Sequence, residues 1–208
     1  MENNTISLQA DAFFKRPCEF VLGVAQTTQL PPPDLPEIAF AGRSNVGKSS
    51  LINALLNTTL ARTSATPGRT QQMNFFLLDQ CLYLVDLPGY GYAKAPQKEI
   101  HHWNTTLMAY LQGRPNLHRV FVLIDSRHGI GRKDEEMMRK LEKAAVSFQI
   151  ILTKTDKPRT KDLSRVIKQV EEKMKHFTTC HPLLLTTSAE KKTGLTTVRE
   201  AIFEISHF

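Results

Sequence analysis

Residues 42 to 49 read Gly42-Arg-Ser-Asn-Val-Gly-Lys-Ser49 and satisfy every fixed position of the pattern G-x4-G-K-[ST]. That spacing suits the binding of a polyphosphate. Gly42 and Gly47 let the backbone turn sharply and approach an anion closely, and Arg43, Ser44, Asn45 and Val46 complete the cradle between them. Lys48 reaches the β- and γ-phosphates, and the Ser49 hydroxyl is a Mg²⁺ ligand. A short pattern of this kind also arises by chance on a surface turn. The flanks argue against that here. The apolar run Glu37-Ile-Ala-Phe-Ala41 before the loop reads as a strand, and Ser50-Leu-Ile-Asn-Ala-Leu-Leu56 after it has helical spacing. A strand, a glycine loop and a helix start leave unpaired N–H groups at the helix end, which suit phosphate oxygens.

Further segments specify the base. Asp86-Leu-Pro-Gly89 closes the apolar run Cys81-Leu-Tyr-Leu-Val85. The Asp86 carboxylate can hold Mg²⁺ through water, the Gly89 N–H can meet a γ-phosphate oxygen, and Leu87 and Pro88 lie between them. Taken alone, D-x-x-G also describes a plain turn. Thr153-Lys-Thr-Asp156 follows Phe148-Gln-Ile-Ile-Leu152. In T-K-x-D the Asp156 carboxylate accepts both the N1–H and the exocyclic amine of guanine, a donor pair that adenine lacks. The Lys154 stem then lies along the base. In isolation these two charges read equally as solvated loop residues. Thr187, Ser188 and Ala189 end another apolar run, and a backbone N–H there can reach the guanine O6.

Between the phosphate loop and Asp86 lies a stretch, 58–72, with neither helical nor alternating periodicity. It holds Gly68-Arg-Thr-Gln-Gln72. This is where a switch loop would place a threonine that completes the Mg²⁺ shell only when a γ-phosphate is present. Thr70 is the first choice, with Thr63 and Thr66 competing on chemistry alone. The order of the segments, each after an apolar run, carries the inference: they imply a GTP-binding domain.

Composition bounds the rest. The chain has 208 residues, 41% of them hydrophobic, enough for a substantial core. No run of roughly 18 apolar residues is present to span a membrane. The start, Met1-Glu-Asn-Asn-Thr5, lacks the basic and apolar regions of a secretory signal. Cys18, Cys81 and Cys180 have no paired spacing, which fits a reducing cytoplasm better than zinc or disulfides. Net charge is +7. The surplus has two readings, solvated faces or an RNA partner. Arg127-His-Gly-Ile-Gly-Arg-Lys133, the group Lys154, Lys157, Arg159 and Lys161, and the pair Lys191-Lys192 favour contacts to RNA phosphates. No aromatic signature for base-specific RNA reading accompanies them.

Elements follow from periodicity. Residues 1–19 read as a flexible tail and 20–208 as one domain. Strands are expected at 20–25, 37–41, 73–79, 81–86, 119–125, 148–153 and 183–187. Helices are expected at 48–57, 98–112, 133–145, 160–177 and 195–206. Strands 73–79 and 81–86 are too close for a crossover and must pair antiparallel. The others alternate with helices and should be parallel. The fold class is therefore α/β: a three-layer P-loop NTPase sandwich of the Ras-like kind. Its sheet is mixed and mostly parallel with one antiparallel strand, and helices cover both faces.

The strings Phe40-Ala-Gly-Arg-Ser-Asn-Val-Gly-Lys-Ser-Ser50, Thr66-Pro-Gly-Arg-Thr-Gln71 and Val85-Asp-Leu-Pro-Gly-Tyr-Gly-Tyr92 resemble the EngB (YihA/YsxC) family, within the class that includes TrmE and Era proteins. Tyr90-Gly-Tyr92, with Trp103 and Tyr110 beyond, is the most discriminating part. Asp125-Ser-Arg-His-Gly-Ile-Gly131 resembles the family's D-x-R-H stretch with two glycines added. The resemblance implies a Mg²⁺-dependent GTPase acting in assembly of the large (50S) ribosomal subunit, with an older association with septation in cell division. The large subunit or its rRNA is the implied partner, and a monomer is expected. Ras-like proteins carry a water-orienting glutamine after D-x-x-G, where this chain has Tyr90. Catalysis then falls to Lys48, Thr70 and Asn45. In the TrmE class an asparagine at the matching place helps hold K⁺, although Asn45 reads equally as a turn residue. Arg69 is either an electrostatic contributor or a ribosome contact. Slow intrinsic hydrolysis stimulated by a partner is expected. The competing reading is a GTP-regulated protein-interaction switch of the division machinery without direct rRNA binding.

Overall fold

The computed structural model describes residues 2–61, 72–91 and 97–206. Seven strands form one sheet: β1 (Cys18–Val24), β2 (Glu37–Gly42), β3 (Met73–Leu78), β4 (Leu82–Asp86), β5 (Leu117–Asp125), β6 (Phe148–Thr153) and β7 (Leu185–Thr186). Their spatial order is β1-β3-β4-β2-β5-β6-β7. β3 runs antiparallel to both of its neighbours, and every other adjacent pair is parallel. The β3–β4 hairpin turns through Asp79 and Gln80, which take φ of 51° and 55°. Two consecutive left-handed residues match the right-handed twist of the strands they join.

Six helices flank the sheet: α1 (Glu2–Phe13), α2 (Lys48–Leu56), α3 (Gln97–Gly113), α4 (Arg132–Lys143), α5 (Thr160–Met174) and α6 (Leu195–Ser206). Alternation along β2 assigns them to faces. Ile38 and Phe40 pack with Leu51, Ile52 and Leu55 of α2 and Val198 and Ile202 of α6. Ala39 and Ala41 face Tyr110 of α3, Met137, Met138 and Leu141 of α4 and Val166 and Val170 of α5. Each fully buried Ile, Leu or Phe contributes roughly 1.5–3 kcal/mol, so the sheet is held from both sides.

The expected flexible tail is instead largely helix. α1 lies on α6 with Ala10, Phe13 and Phe14 buried at helical spacing. Asp11 pairs with Arg199 of α6 at 2.8 Å, and the Phe13 and Phe203 rings meet edge-on at 5.6 Å. β7 is shorter than the expected 183–187. The Leu183 carbonyl accepts from the Gln149 side chain and its N–H donates to His181 Nδ1, so side chains occupy the groups a ladder would use. α4 and α5 end two and three residues before their expected limits.

Candidate nucleotide-binding site

The phosphate loop joins β2 to α2. Asn45 (φ 64°) and Gly47 (φ 103°) supply its left-handed turns. Val46 N–H donates to Arg43 O, and Leu51 N–H to Gly47 O, closing the first turn of α2. No side chain caps α2, so its first N–H groups are available to an anion. Gly42 serves a different purpose from the expected sharp turn. A Cβ there would stand 2.7 Å from Val46 Cγ1 and 3.2 Å from Leu123 Cβ, so its missing side chain lets the loop pack on β5.

β4 delivers Asp86 beside this loop, where its carboxylate accepts from the Lys48 ammonium. Beyond it, Leu87 N–H donates to Phe40 O at 3.0 Å, Tyr90 N–H to Gly42 O at 3.1 Å, and Ser44 N–H to Tyr90 O at 3.2 Å. Residues 87–90 thus continue the parallel ladder along the loop. Gly89 is seated on it: a Cβ would lie 3.0–3.1 Å from Ser44 atoms. Among the described residues, no group of three or more His, Cys, Asp or Glu side chains gathers. A hydroxyl (Ser49) and a carboxylate (Asp86) are hard oxygen donors that fit Mg²⁺ when phosphate oxygens and water complete the shell.

β6 brings in the third segment. Thr153 Oγ1 donates to Val46 O at 2.7 Å and fastens the phosphate loop to this strand end. Lys154 is left-handed (φ 57°), and its ammonium donates to Asn45 O at 2.6 Å and to Asp125 at 2.9 Å. Asp156 accepts from the Ser188 hydroxyl and pairs with Lys157 at 3.1 Å. The Ser188 bond, with Lys157, holds the Asp156 carboxyl below its ordinary range despite partial desolvation. Thr155 N–H donates to Thr187 O, tying the T-K-x-D turn to the segment after β7 that carries Ser188 and Ala189. The segments containing Gly42 to Ser49, Asp86 to Gly89, Thr153 to Asp156 and Thr187 to Ala189 therefore meet at one edge of the sheet. Gln72 immediately precedes β3, whereas Thr63, Thr66, Gly68, Arg69, Thr70 and Gln71 lie outside the described residues.

Sequence reasoning left three contributors without a role. Asp125 ends β5 and accepts from both Lys154 and Arg127. Burial pushes its carboxyl up, but those partners outweigh it and hold it well below the usual range. A carboxylate at a parallel strand end, like Asp86, was the available signal. Gly194 (φ 72°) is required because a Cβ would fall 1.9 Å from Thr186 O. The third is the Tyr90 hydroxyl, which donates to Asp134 of α4 at 2.9 Å.

Comparison with known proteins completes the picture. Residues 37–154 match the family model described as 50S ribosome-binding GTPase. A protein named Probable GTP-binding protein EngB from Ruegeria pomeroyi is 52% identical over 190 residues, covering 91% of this chain and 88% of the relative. The chain belongs to the EngB family of GTP-binding proteins. A Rhizobium etli protein of the same name is 48% identical over 201 residues, with 92% and 93% covered. Among solved structures, the crystal structure of a probable GTP-binding protein EngB superposes with a TM-score of 0.66 at 22% identity, covering 81% of this chain and 97% of that one. Aquifex aeolicus Era bound to GDP.AlF4- gives 0.68 at 22%, covering 84% and 57%. At that identity the structural neighbours speak for the P-loop GTPase fold.

Proposed function

We propose that this EngB-family chain is a Mg²⁺-dependent GTP switch that serves assembly of the large ribosomal subunit. The observation that carries the GTP site is the convergence of the phosphate loop, the D-x-x-G segment, the T-K-x-D turn and Ser188 on one sheet edge. In this reading Gly42 to Ser49 wrap the phosphates, with Lys48 on the β- and γ-phosphates. Bound Mg²⁺ supplies charge neutralisation there, held by Ser49 and, in the GTP state, Thr70. Asp86 would hold the Mg²⁺ through water, and the Gly89 N–H would meet the γ-phosphate. Asp156 reads guanine, Lys154 lies along it, and the Ser188–Ala189 backbone meets O6. The Ser188 hydroxyl on Asp156 and the Asp125 carboxylate on Lys154 hold those two side chains ready before a base arrives.

The Tyr90 phenol points to Asp134, which supports a mechanism without a water-orienting group at that position. Asn45 is then assigned to K⁺ in hydrolysis, so replacing Na⁺ by K⁺ should speed turnover in the parent and not in Asn45→Ala. The site reading is tested by competition for a fluorescent guanine nucleotide, followed by phosphate release from GTP. GTP and GDP should compete and ATP should not; equal competition by ATP would overturn the assignment. The ribosomal role draws support from the family description and from exposed lysines and arginines near the T-K-x-D turn.

A further inference from the structure

Tyr90 is the first residue after Gly89, and its backbone is zipped to the phosphate loop on both sides, through Gly42 O and Ser44 N–H. Its side chain leaves the nucleotide edge and reaches α4. Burial raises the phenol well above its ordinary range, so it is the donor in the 2.9 Å bond to Asp134 Oδ1. Asp134 is 1% exposed, and its other oxygen accepts from Gly131 N–H at 2.9 Å. One buried carboxylate therefore joins the start of α4 to the end of the D-x-x-G segment. Arg43 of the phosphate loop borders the same place: its guanidinium lies 3.7 Å from the Cβ positions of both Gly91 and Gly131. A shift of Gly89 would carry the adjacent Tyr90 with it and pull against its bonds to Gly42 O, Ser44 N–H and Asp134.

We propose that Asp134 is a positioning residue for the γ-phosphate contact: through Tyr90 it holds the Gly89 N–H at the distance a third phosphate needs. The proposal rests on the GTP-site reading above. It assigns the pair a role in telling GTP from GDP, since GDP lacks the group that Gly89 would meet. The contact is made equally before and during phosphoryl transfer, so it changes binding more than turnover.

The test uses Tyr90→Phe, which removes one oxygen and keeps the ring, together with Asp134→Asn and the double variant. Tyr90→Phe should lower affinity for a non-hydrolysable GTP analogue by about fivefold and leave GDP within about twofold, the size of one lost hydrogen bond. Saturated single-turnover phosphate release should stay within about threefold of the parent. Asp134→Asn should shift the same ratio, and the double variant should lose no more than the worse single, because one interaction is removed only once. An unchanged ratio in Tyr90→Phe, equal loss of both nucleotides, or additive losses in the double variant would each overturn the proposal. A parent protein that bound neither nucleotide would overturn the GTP-site reading together with it.

Discussion

In the proposed site, Asp156 would concentrate the choice of base into one side chain. It is already held by the Ser188 hydroxyl and Lys157, so its orientation is set in advance of the ligand. Asp156→Asn replaces an acceptor by a donor and should lower GTP affinity by about a hundredfold, with xanthosine nucleotides gaining in its place. Unchanged GTP binding in that variant, measured by nucleotide competition, would remove the guanine assignment. The proposed Mg²⁺ would make a separate demand on two hydroxyls. Ser49→Ala should weaken both GDP and GTP in Mg²⁺, whereas Thr70→Ala should weaken GTP alone. Equal loss of both nucleotides in Thr70→Ala would move the switch role to Thr63 or Thr66. Ser49 and Asp156 were legible as candidates because motif spacing states the expected chemistry directly, while Thr70 lies outside the described residues. Asp125 and Asp134 were not, because each acts through a second side chain, Lys154 and Tyr90, that only the fold brings near.

Elements were legible where the chain left one physical option. The short link at 79–81 forced β3 and β4 into an antiparallel pair, and the helix-strand alternation from residue 97 onward forced the parallel remainder. α1 escaped that reasoning. Of its apolar residues only Ala10 and Phe13, with Phe14 just after it, are buried, while Leu8 and Ala12 are exposed, and most of what fixes it sits on α6 and α2. Arg199 is the hinge of that arrangement. It is 7% exposed, donates to Leu55 O at 2.8 Å and Ala54 O at 3.1 Å, pairs with Asp11, and stands over the Phe14 ring at 5.9 Å. Arg199→Ala strips the last turn of α2 of its donors and leaves Asp11 without its cation. It should cost about 3 kcal/mol in urea unfolding. A change below about 0.5 kcal/mol, typical of an exposed position, would show that α1 is not fastened through this residue.

For the molecule as a whole, the parallel strands β2, β4, β5, β6 and β7 end on the same edge, which places the described site loops at one end of the sheet. The basic surplus divides in a way that composition could not reveal. Arg127, Lys133, Lys154 and Lys157 are paired with Asp125, Glu136, Asp125 and Glu190. Arg159 and Lys161 at the start of α5, and Lys191 and Lys192 just after Ala189, are exposed. An RNA partner drawn by those residues would couple its own binding to the nucleotide state, and its affinity would fall steeply with salt. The account's central claim, a GTP switch for the large ribosomal subunit, is tested most directly by co-sedimentation with purified large subunits. The chain should pellet with them when loaded with a non-hydrolysable GTP analogue and be released as salt rises, while the GDP form stays in solution. Equal co-sedimentation in the two nucleotide states, or none in either, would contradict it.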